Sequence, residues 1–442
     1  MSVRFHTTAR RRILAVITAA ATTSLVLAGC STGNSGSPGT GSDKNPSGTI
    51  RVLYNWSGAE GDAFQAAVDG FTAKYPDVKV KLDNVPFAET QSTLTKQFAA
   101  GNPPDVSAAL PGIVSALSAQ GLLMNLDSMW NAWQDSGEYN DSLRAIAAGS
   151  DGHTDAVYFK GNVNGLIWYR TSKVTDAGLK VPPGSWDEFL AMLDAAKATG
   201  HAPFSVGAKD VWVPTQWVDP IILNVAGGKK FGQLQRGEIG WNDPAIVKSF
   251  TVLNDLITKY WPSNALDTGF ADETCGWVTG DHFFANNGAF VNGIVASCDS
   301  SLKPGDDYTF FTMPSFSGSG TPGVAVSGDL FLGAKSSKNP VATKAFLKYL
   351  GSVEGQSIWA KRGGYVAPNM KVPSSVYPTV NDQRAAELWP KDASTVAGYD
   401  LDDWIGGEIQ SKYRNALDDL IRSHDVDAFI ATMTTVDTRS GK

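Results

Sequence analysis

The chain is poor in the side chains that metal and redox chemistry rely on: 442 residues hold three cysteines and five histidines. His153, His201, His282 and His424 are widely scattered and read as surface or internally satisfied histidines. No metal or cofactor is therefore expected. The motifs G-x-S-x-G, H-E-x-x-H, H-R-D and the P-loop are absent, and their hydrolytic and phosphoryl-transfer mechanisms go with them. Gly318-x-Gly320-x-x-Gly323 matches the dinucleotide fingerprint in spacing alone. Pro322 interrupts it, and Val324–Leu332 reads as a strand where a helix would be needed. Basic excess is also missing: 37 Lys and Arg stand against 44 Asp and Glu. The first 29 residues carry Arg4, Arg10, Arg11 and Arg12 and no acid, so the remainder holds 33 basic against 44 acidic groups, a balance of −11. So acidic a surface disfavours nucleic acid and anionic lipid as partners. Beyond the N-terminus no apolar run is long enough to span a bilayer, and the body is expected to be soluble.

What is present begins with an address. Arg10-Arg11-Arg12 precedes an apolar run from Ile13 to Leu27, and Leu27-Ala28-Gly29-Cys30 follows. Residues 1–29 read as a secretory signal, too short for a transmembrane helix. The small residues before Cys30 resemble the lipobox of bacterial lipoproteins, which implies cleavage there and a diacylglycerol thioether on Cys30, an anchor of stable type. Arg10-Arg11 leaves both the general and the twin-arginine export routes open. Residues 31–48 (STGNSGSPGTGSDKNPSG) lack any large apolar group, and with Cys30 form a tether spanning ~23 Å as a flexible coil. Cys275 and Cys298 lie in an exported chain, where oxidation is the default. A bridge between them would add roughly 3 kcal/mol on the chain-entropy account; two free buried thiols are the alternative.

A length of 442 residues implies two or three domains at ~150 residues each, and 42% apolar residues suffice for sizeable cores. Ile50, Val52 and Tyr54 alternate as a strand, Phe64, Val68, Phe71 and Tyr75 recur at helical spacing up to Pro76, and Val78, Val80 and Leu82 alternate again. This strand-helix-strand opening is the unit of a parallel sheet. A helix over 90–100, the breaker Gly101-Asn102-Pro103-Pro104 and a short strand Asp105–Leu110 come next. Later helices are expected after the capping box Ser185-Trp186-Asp187-Glu188, after Asp243-Pro244, after Asn339-Pro340, and over Glu408–Thr434. The fold class is α/β.

The conspicuous surplus is tryptophan. All 13 lie beyond the first 29 residues, several beside breakers: Trp56 in Asn-Trp-Ser-Gly, Trp212 and Trp217 around Pro214, Trp277 after Cys275-Gly276, Trp404 before Gly406-Gly407. A sugar ring offers an apolar C–H face to an aromatic plane and a belt of hydroxyls to Asp, Asn and Glu. Loop-placed tryptophan among acids and amides suits that ligand as a set, although core packing explains any single one. Asp400, Asp402 and Asp403 cluster, as do Asp306 and Asp307, and read as solvated loop ends.

Several segments carry a resemblance. Trp56-Ser57-Gly58-Ala59-Glu60, Phe71-x-x-x-Tyr75-Pro76-Asp77-Val78, Ala100-Gly101-Asn102-Pro103-Pro104-Asp105-Val106, Ser185-Trp186-Asp187-Glu188-Phe189, Lys338-Asn339-Pro340 and Gly363-Gly364-Tyr365 occur in this order. Together the chain resembles the extracellular solute-binding proteins of ABC importers that take up sugars and oligosaccharides. Leu110-Pro111-Gly112, Trp168-Tyr169, Trp212-x-x-Thr215-x-Trp217, Gly328-Asp329 and Tyr399-Asp400-x-x-Asp403 look like its α-glucoside-binding branch. Ile294 stands where the wider family often has tryptophan, a plane that Trp277 could supply, and Gln216 where that branch commonly has an acid. The resemblance implies a two-lobed periplasmic-binding-protein-like fold with a ligand cleft between lobes and crossing hinge segments. Residues 49–160 plus 322–375 would form the N-terminal lobe, and 161–321 plus 376–442 the C-terminal lobe. It implies no catalysis: a monomer at the extracellular face of the cell membrane would close on a sugar and present it to ABC permease subunits. By that resemblance Trp56 and Trp217 stack on sugar rings with Trp212 nearby. Glu60, Asn162, Asn292, Asp329 and Asp403 bind hydroxyls, and Pro111, Gly112, Gly364 and Tyr365 shape the cleft. A secreted carbohydrate-active hydrolase and a receptor for a non-sugar solute are the rival readings. Cys30→Ser is expected to move the protein from the membrane fraction to the medium, checked by fractionation and immunoblot; a C30S protein that stays with membranes would rule out the anchor.

Overall fold

The computed structural model describes residues 45–316, 323–391 and 397–436, and these belong to one compact unit. The signal, Cys30 and nearly all of the tether lie outside the described residues, as do Gly318 and Gly320 of the glycine motif. Among the described residues no helix is long and apolar enough to cross a membrane.

The alternating segments become strands because period-2 apolar residues bury one face. In β1 (Gly48–Tyr54) Ile50 and Val52 are fully buried, and β2 (Val78–Asn84) pairs parallel to it. The helix between them, Gly58–Lys74, buries Phe64, Val68 and Phe71 and stops ahead of Pro76, as expected from its spacing. β3 (Val106–Ala109) adds on the other side of β1, again parallel. A six-stranded sheet is completed in the order β2-β1-β3-β8-β4 by β4 (Ala156–Val163) and β8 (Val324–Gly333), with β9 (Ala397–Tyr399) parallel to the start of β8. A second, antiparallel sheet orders β6-β5-β7, from β5 (Leu166–Arg170), β6 (Phe284–Asn287) and β7 (Tyr308–Thr312).

Two hydrophobic cores accompany the two sheets. One gathers around the six-stranded sheet with Phe64, Trp130, Phe331 and Trp359; the other holds Phe189, Trp217, Phe250 and Tyr413. Trp168, Tyr308 and Phe310 of the smaller sheet, and Tyr377, Trp389 and Tyr399 after residue 376, pack on the first core. The chain passes from β4 to β5 through Asn164 and Gly165 alone. Gly165 turns with φ +74, and a Cβ there would meet Pro220 at 2.7 Å, so this crossing is tight.

Local signals govern the helix ends. The Ser185 hydroxyl accepts from the Glu188 amide at 3.2 Å and starts helix Trp186–Lys197. The expected reciprocal bond takes another partner, because the Glu188 carboxylate reaches the amide of Gly184 at 2.7 Å. Asp243 caps helix Pro244–Tyr260, and the expected C-terminal helix is two, Gly407–Ser423 and Val426–Thr434, broken at left-handed His424. Cys275 and Cys298 form a disulfide.

One irregularity positions the site. Between Tyr158 and Lys160 the β4–β8 register shifts, so Tyr158 pairs with Leu330 and Lys160 with Asp329. The bulge turns Lys160 toward Asp329. Gly328 beside it has φ +141, and a Cβ would fall 1.7 Å from the Lys160 carbonyl oxygen. Gly328→Ala is expected to destabilise the protein by more than about 3 kcal/mol, read from urea unfolding; a loss near zero would refute this account of the bulge.

Candidate functional site

A cavity of about 660 Å³ opens between the two cores. From the six-stranded side it is lined by Glu60 on helix Gly58–Lys74, Lys160 of β4 and Asp329 of β8, with Trp359 and Gly364 beyond. Trp212 and Gln216 line it as well, with Phe270 and Phe290, which pack against the first core, and acids of the segment after β9 close one end.

Three aromatic rings make one wall. Trp212 meets Phe270 edge-on at 4.8 Å and Phe290 at 6.0 Å, and Phe270 meets Phe290 at 5.7 Å. Each is only partly buried, which leaves ring surface facing the cavity. Phe270 opens helix Phe270–Val278, and the Cys275–Cys298 bridge ties that helix to the segment that follows Phe290. The Phe290 amide donates to Asn162 Oδ1 at 3.2 Å, fixing the wall to β4.

The opposite wall is ionic. Lys160 Nζ lies 2.6 Å from Glu60 Oε1 and 3.9 Å from Asp329 Oδ2, and 5.7 Å over the rings of both Trp56 and Trp359. Burial works to lower the Lys160 pKa, but Glu60 and Asp329 outweigh it and the ammonium is retained above its ordinary value. Burial raises the Asp329 carboxyl, an effect Lys160 opposes.

Asp400, Asp402 and Asp403 sit at the start of the short helix Leu401–Ile405, and Asp400 and Asp402 are buried. They are not the solvated loop end expected, because the chain folds back from β9 into the space between the cores. Asp400 Oδ1 caps the helix through the amides of Asp402 and Asp403 at 3.0 and 3.4 Å. Its Oδ2 accepts from Gln216 at 2.9 Å and Asn164 at 3.3 Å. Arg414 grips Asp402 with Nε at 3.0 Å from both oxygens and a second nitrogen at 2.5 Å. Burial pushes Asp400 up to about 7, and lifts Asp402, Asp403 and the neighbouring Asp219 as well. Gln216 replaces the acid of the resembled branch, and a carboxylate there would face Asp400 at hydrogen-bond distance.

Of the expected binding residues, Glu60, Asn162, Trp212, Asp329, Gly364 and Asp403 line the cavity. Trp217 does not: with 0% exposure it packs against Phe204 and Trp261 in the second core. Trp56, 4% exposed, lies behind the ionic wall with its ring edge-on to Trp359 at 5.1 Å. Both stacking assignments are therefore corrected, since a ring enclosed by other rings has no face left for a ligand. Tyr365 is buried against Trp359, its hydroxyl bonded to the Phe159 carbonyl at 2.5 Å. Asn292 is held by Thr379 and Tyr308. Pro111 and Gly112 stand back from the cavity surface, Gly112 against the backbone of Gly406. Trp277 is buried against Trp168 and Tyr308 and supplies no plane, while Ile294 lines the cavity. Lys160, Phe270, Phe290, Trp359 and Arg414 were missed; the partly apolar run Gly288-Ala289-Phe290 was the available signal for one of them.

An aromatic wall, an acidic floor and a fixed cation between two α/β bodies define a binding protein for a solute. The chain belongs to the bacterial extracellular solute-binding protein family, matched over residues 55–357. It is 24% identical over 387 residues to the α-glucosides-binding periplasmic protein of Rhizobium meliloti, covering 82% of this chain and 80% of that one. It is 23% identical over 385 residues to the osmoprotective compounds-binding protein of Synechocystis, covering 84% and 88%. Among solved structures, the GacH receptor of Streptomyces glaucescens superposes with a TM-score of 0.70 at 22% identity, covering 88% of this chain and 97% of that one. The two-lobed fold of these receptors is this chain's fold. The relatives are binding proteins and the chain is not an enzyme, so the hydrolase reading falls.

Because folding lifts Asp400 from an ordinary 3.8 to about 7, the native state keeps a proton that the unfolded chain releases. Stability is therefore expected to fall as pH rises from about 4 through 7, with the raised carboxyls of Asp219, Asp402 and Asp403 adding to the fall. Asp400→Asn keeps the helix cap and should flatten that slope, raising stability at pH 8 by on the order of 2–4 kcal/mol. Melting curves from pH 4 to 8 that run parallel for both proteins would contradict it.

Proposed function

We propose that the protein is the substrate-binding component of an ABC importer for a sugar or oligosaccharide of α-glucoside type, held on the outer face of the membrane by a lipid on Cys30. The carrying observation is the cavity itself: an aromatic wall of Trp212, Phe270 and Phe290 faces the acids and amides that a polyol ring requires. The names of the α-glucoside-binding relative and of the GacH receptor complex with acarbose support the carbohydrate class.

Residues 49–160 with 322–375 act as one lobe, and 161–321 with 376–442 as the other. Sugar bound to Glu60 and Asp329 on one side and to Trp212 and Phe290 on the other favours the closed arrangement, because only closure engages both walls. The permease subunits read the closed form. Glu60, Asn162, Trp212, Asp329, Gly364 and Asp403 are the ligand contacts retained from the sequence, with Lys160 holding the two acids in place. The protein works as a monomer.

A thermal-shift panel of maltose, trehalose, sucrose, cellobiose, xylobiose and chitobiose on the purified protein tests this reading. Stabilisation by the α-linked members is expected, and it should disappear in Trp212→Ala, whose affinity falls by roughly 2–4 kcal/mol as for other anchoring aromatics. A shift from β-linked sugars alone removes the α-glucoside assignment. A shift only from a peptide or a simple polyol removes the sugar.

A further inference from the structure

The three rings of the aromatic wall come from three separate segments, and one carboxyl group joins those segments. Trp212 lies in the loop that runs from Gly207 to helix Thr215–Val225, Phe270 opens helix Phe270–Val278, and Phe290 follows β6 (Phe284–Asn287). Glu273 stands one turn after Phe270 and is only 2% exposed. The Gly207 amide donates to its Oε2 at 2.8 Å, and Asn287 Nδ2 donates to its Oε1 at 3.2 Å. The start of the Trp212 loop and the strand end before Phe290 are thus both fastened to the helix that carries Phe270.

The surrounding contacts pass that position on to the rings. A Cβ on Gly207 would fall 2.9 Å from Glu273 Oε2 and 2.8 Å from the Gly269 carbonyl oxygen, so glycine is what lets the loop approach the carboxyl group. Further along the same loop, Asp210 Oδ2 accepts from the Phe270 amide at 2.7 Å. Asn287 in turn offers its Oδ1 to the Gly288 amide at 3.0 Å, two residues before Phe290.

Glu273 itself does not line the cavity. Burial pushes its carboxyl up to about 8, against the pull of the bonds from Asn287 and Gly207, and Asp210 raises it further. The charged groups on the packed elements stand apart from it or are engaged elsewhere. Lys209 and Asp210 on the loop and Asp272 on its own helix are exposed. Arg170 and Lys173 bond to the carbonyls of Val278 and Trp277 at the far end of that helix. His282, ahead of β6, bonds to the Ala202 carbonyl at 2.9 Å. An ionised Glu273 would therefore be a buried charge without a cation, which costs free energy unless water enters or the segments separate.

We propose that Glu273 is the positioning residue of the sugar-binding wall: its uncharged carboxyl group sets the spacing of Trp212, Phe270 and Phe290, and loss of its proton spreads them and weakens the hold on the ligand. This rests on the reading of the wall as the surface a sugar stacks on, and adds a pH dependence to it.

The test has one arm without ligand and one with it. In protein labelled with 5-fluorotryptophan, the Trp212 fluorine resonance is assigned by its loss in Trp212→Phe. It is expected to move between pH 7 and 9.5 with a midpoint near 8, and to stay in place in Glu273→Gln, whose amide cannot ionise. Maltose in isothermal titration should bind about tenfold more weakly at pH 9.5 than at pH 7, and within about threefold at both in Glu273→Gln. The acids of the cleft titrate in both proteins, so the difference between the two profiles isolates Glu273. A merely structural glutamate would lower the melting temperature of the variant and leave its pH profiles like those of the parent, which overturns the proposal. A parent resonance that stays fixed above pH 7 overturns it as well, and needs no variant. A resonance that titrates as expected while no sugar binds keeps Glu273 as the positioning residue of the wall and removes the sugar-receptor reading instead.

Discussion

Asp400 is the point through which the two halves of the molecule are coupled. One oxygen caps the helix Leu401–Ile405, and the other accepts from Asn164 at the β4–β5 crossing and from Gln216 on the helix of the second core. Three segments that belong to different parts of the fold meet on one carboxyl group. In so enclosed a place an ionised carboxylate is expensive, which is why the group retains its proton to near neutral pH. Arg414 offsets the charge of Asp402 next to it and leaves the other acids of the cluster to share what remains.

That arrangement separates the roles of the two walls. The Lys160–Glu60–Asp329 set is assembled within the six-stranded side by one bulge and one glycine, Gly328, so its geometry does not depend on the opposite body. The aromatic wall is braced by a disulfide that ties the element carrying Phe270 to the segment after Phe290, and by the bond from the Phe290 amide to Asn162 of β4.

Carboxylates outnumber cations in the cavity, yet the free acids are partly neutralised by retained protons and by Lys160 and Arg414. The cleft therefore presents acceptors and donors without a strong field of one sign. A polyhydroxylated neutral ligand suits such a surface, since its hydroxyls can serve either role.

Strand alternation in β1 and β2, the stop at Pro76, the caps at Ser185 and Asp243 and the α/β class were legible in the sequence, because each depends on residues a few positions apart. The family resemblance was legible for the same reason: its motifs are local. The tryptophans were not. Trp56, Trp212 and Trp217 stand beside similar breakers, and nothing within a few residues tells whether a ring turns into a core or toward a cavity; packing partners such as Phe204, Trp261 and Trp359, far away in the chain, decided it. Lys160 entered the site through a register shift against a strand more than 160 positions later, and Asp400 was buried by neighbours from three separate segments. Local motifs carried the family resemblance, and composition supplied the residue types suited to a sugar. Which individual side chains reach the ligand was decided only by tertiary structure, since burial is a property of the whole packed chain.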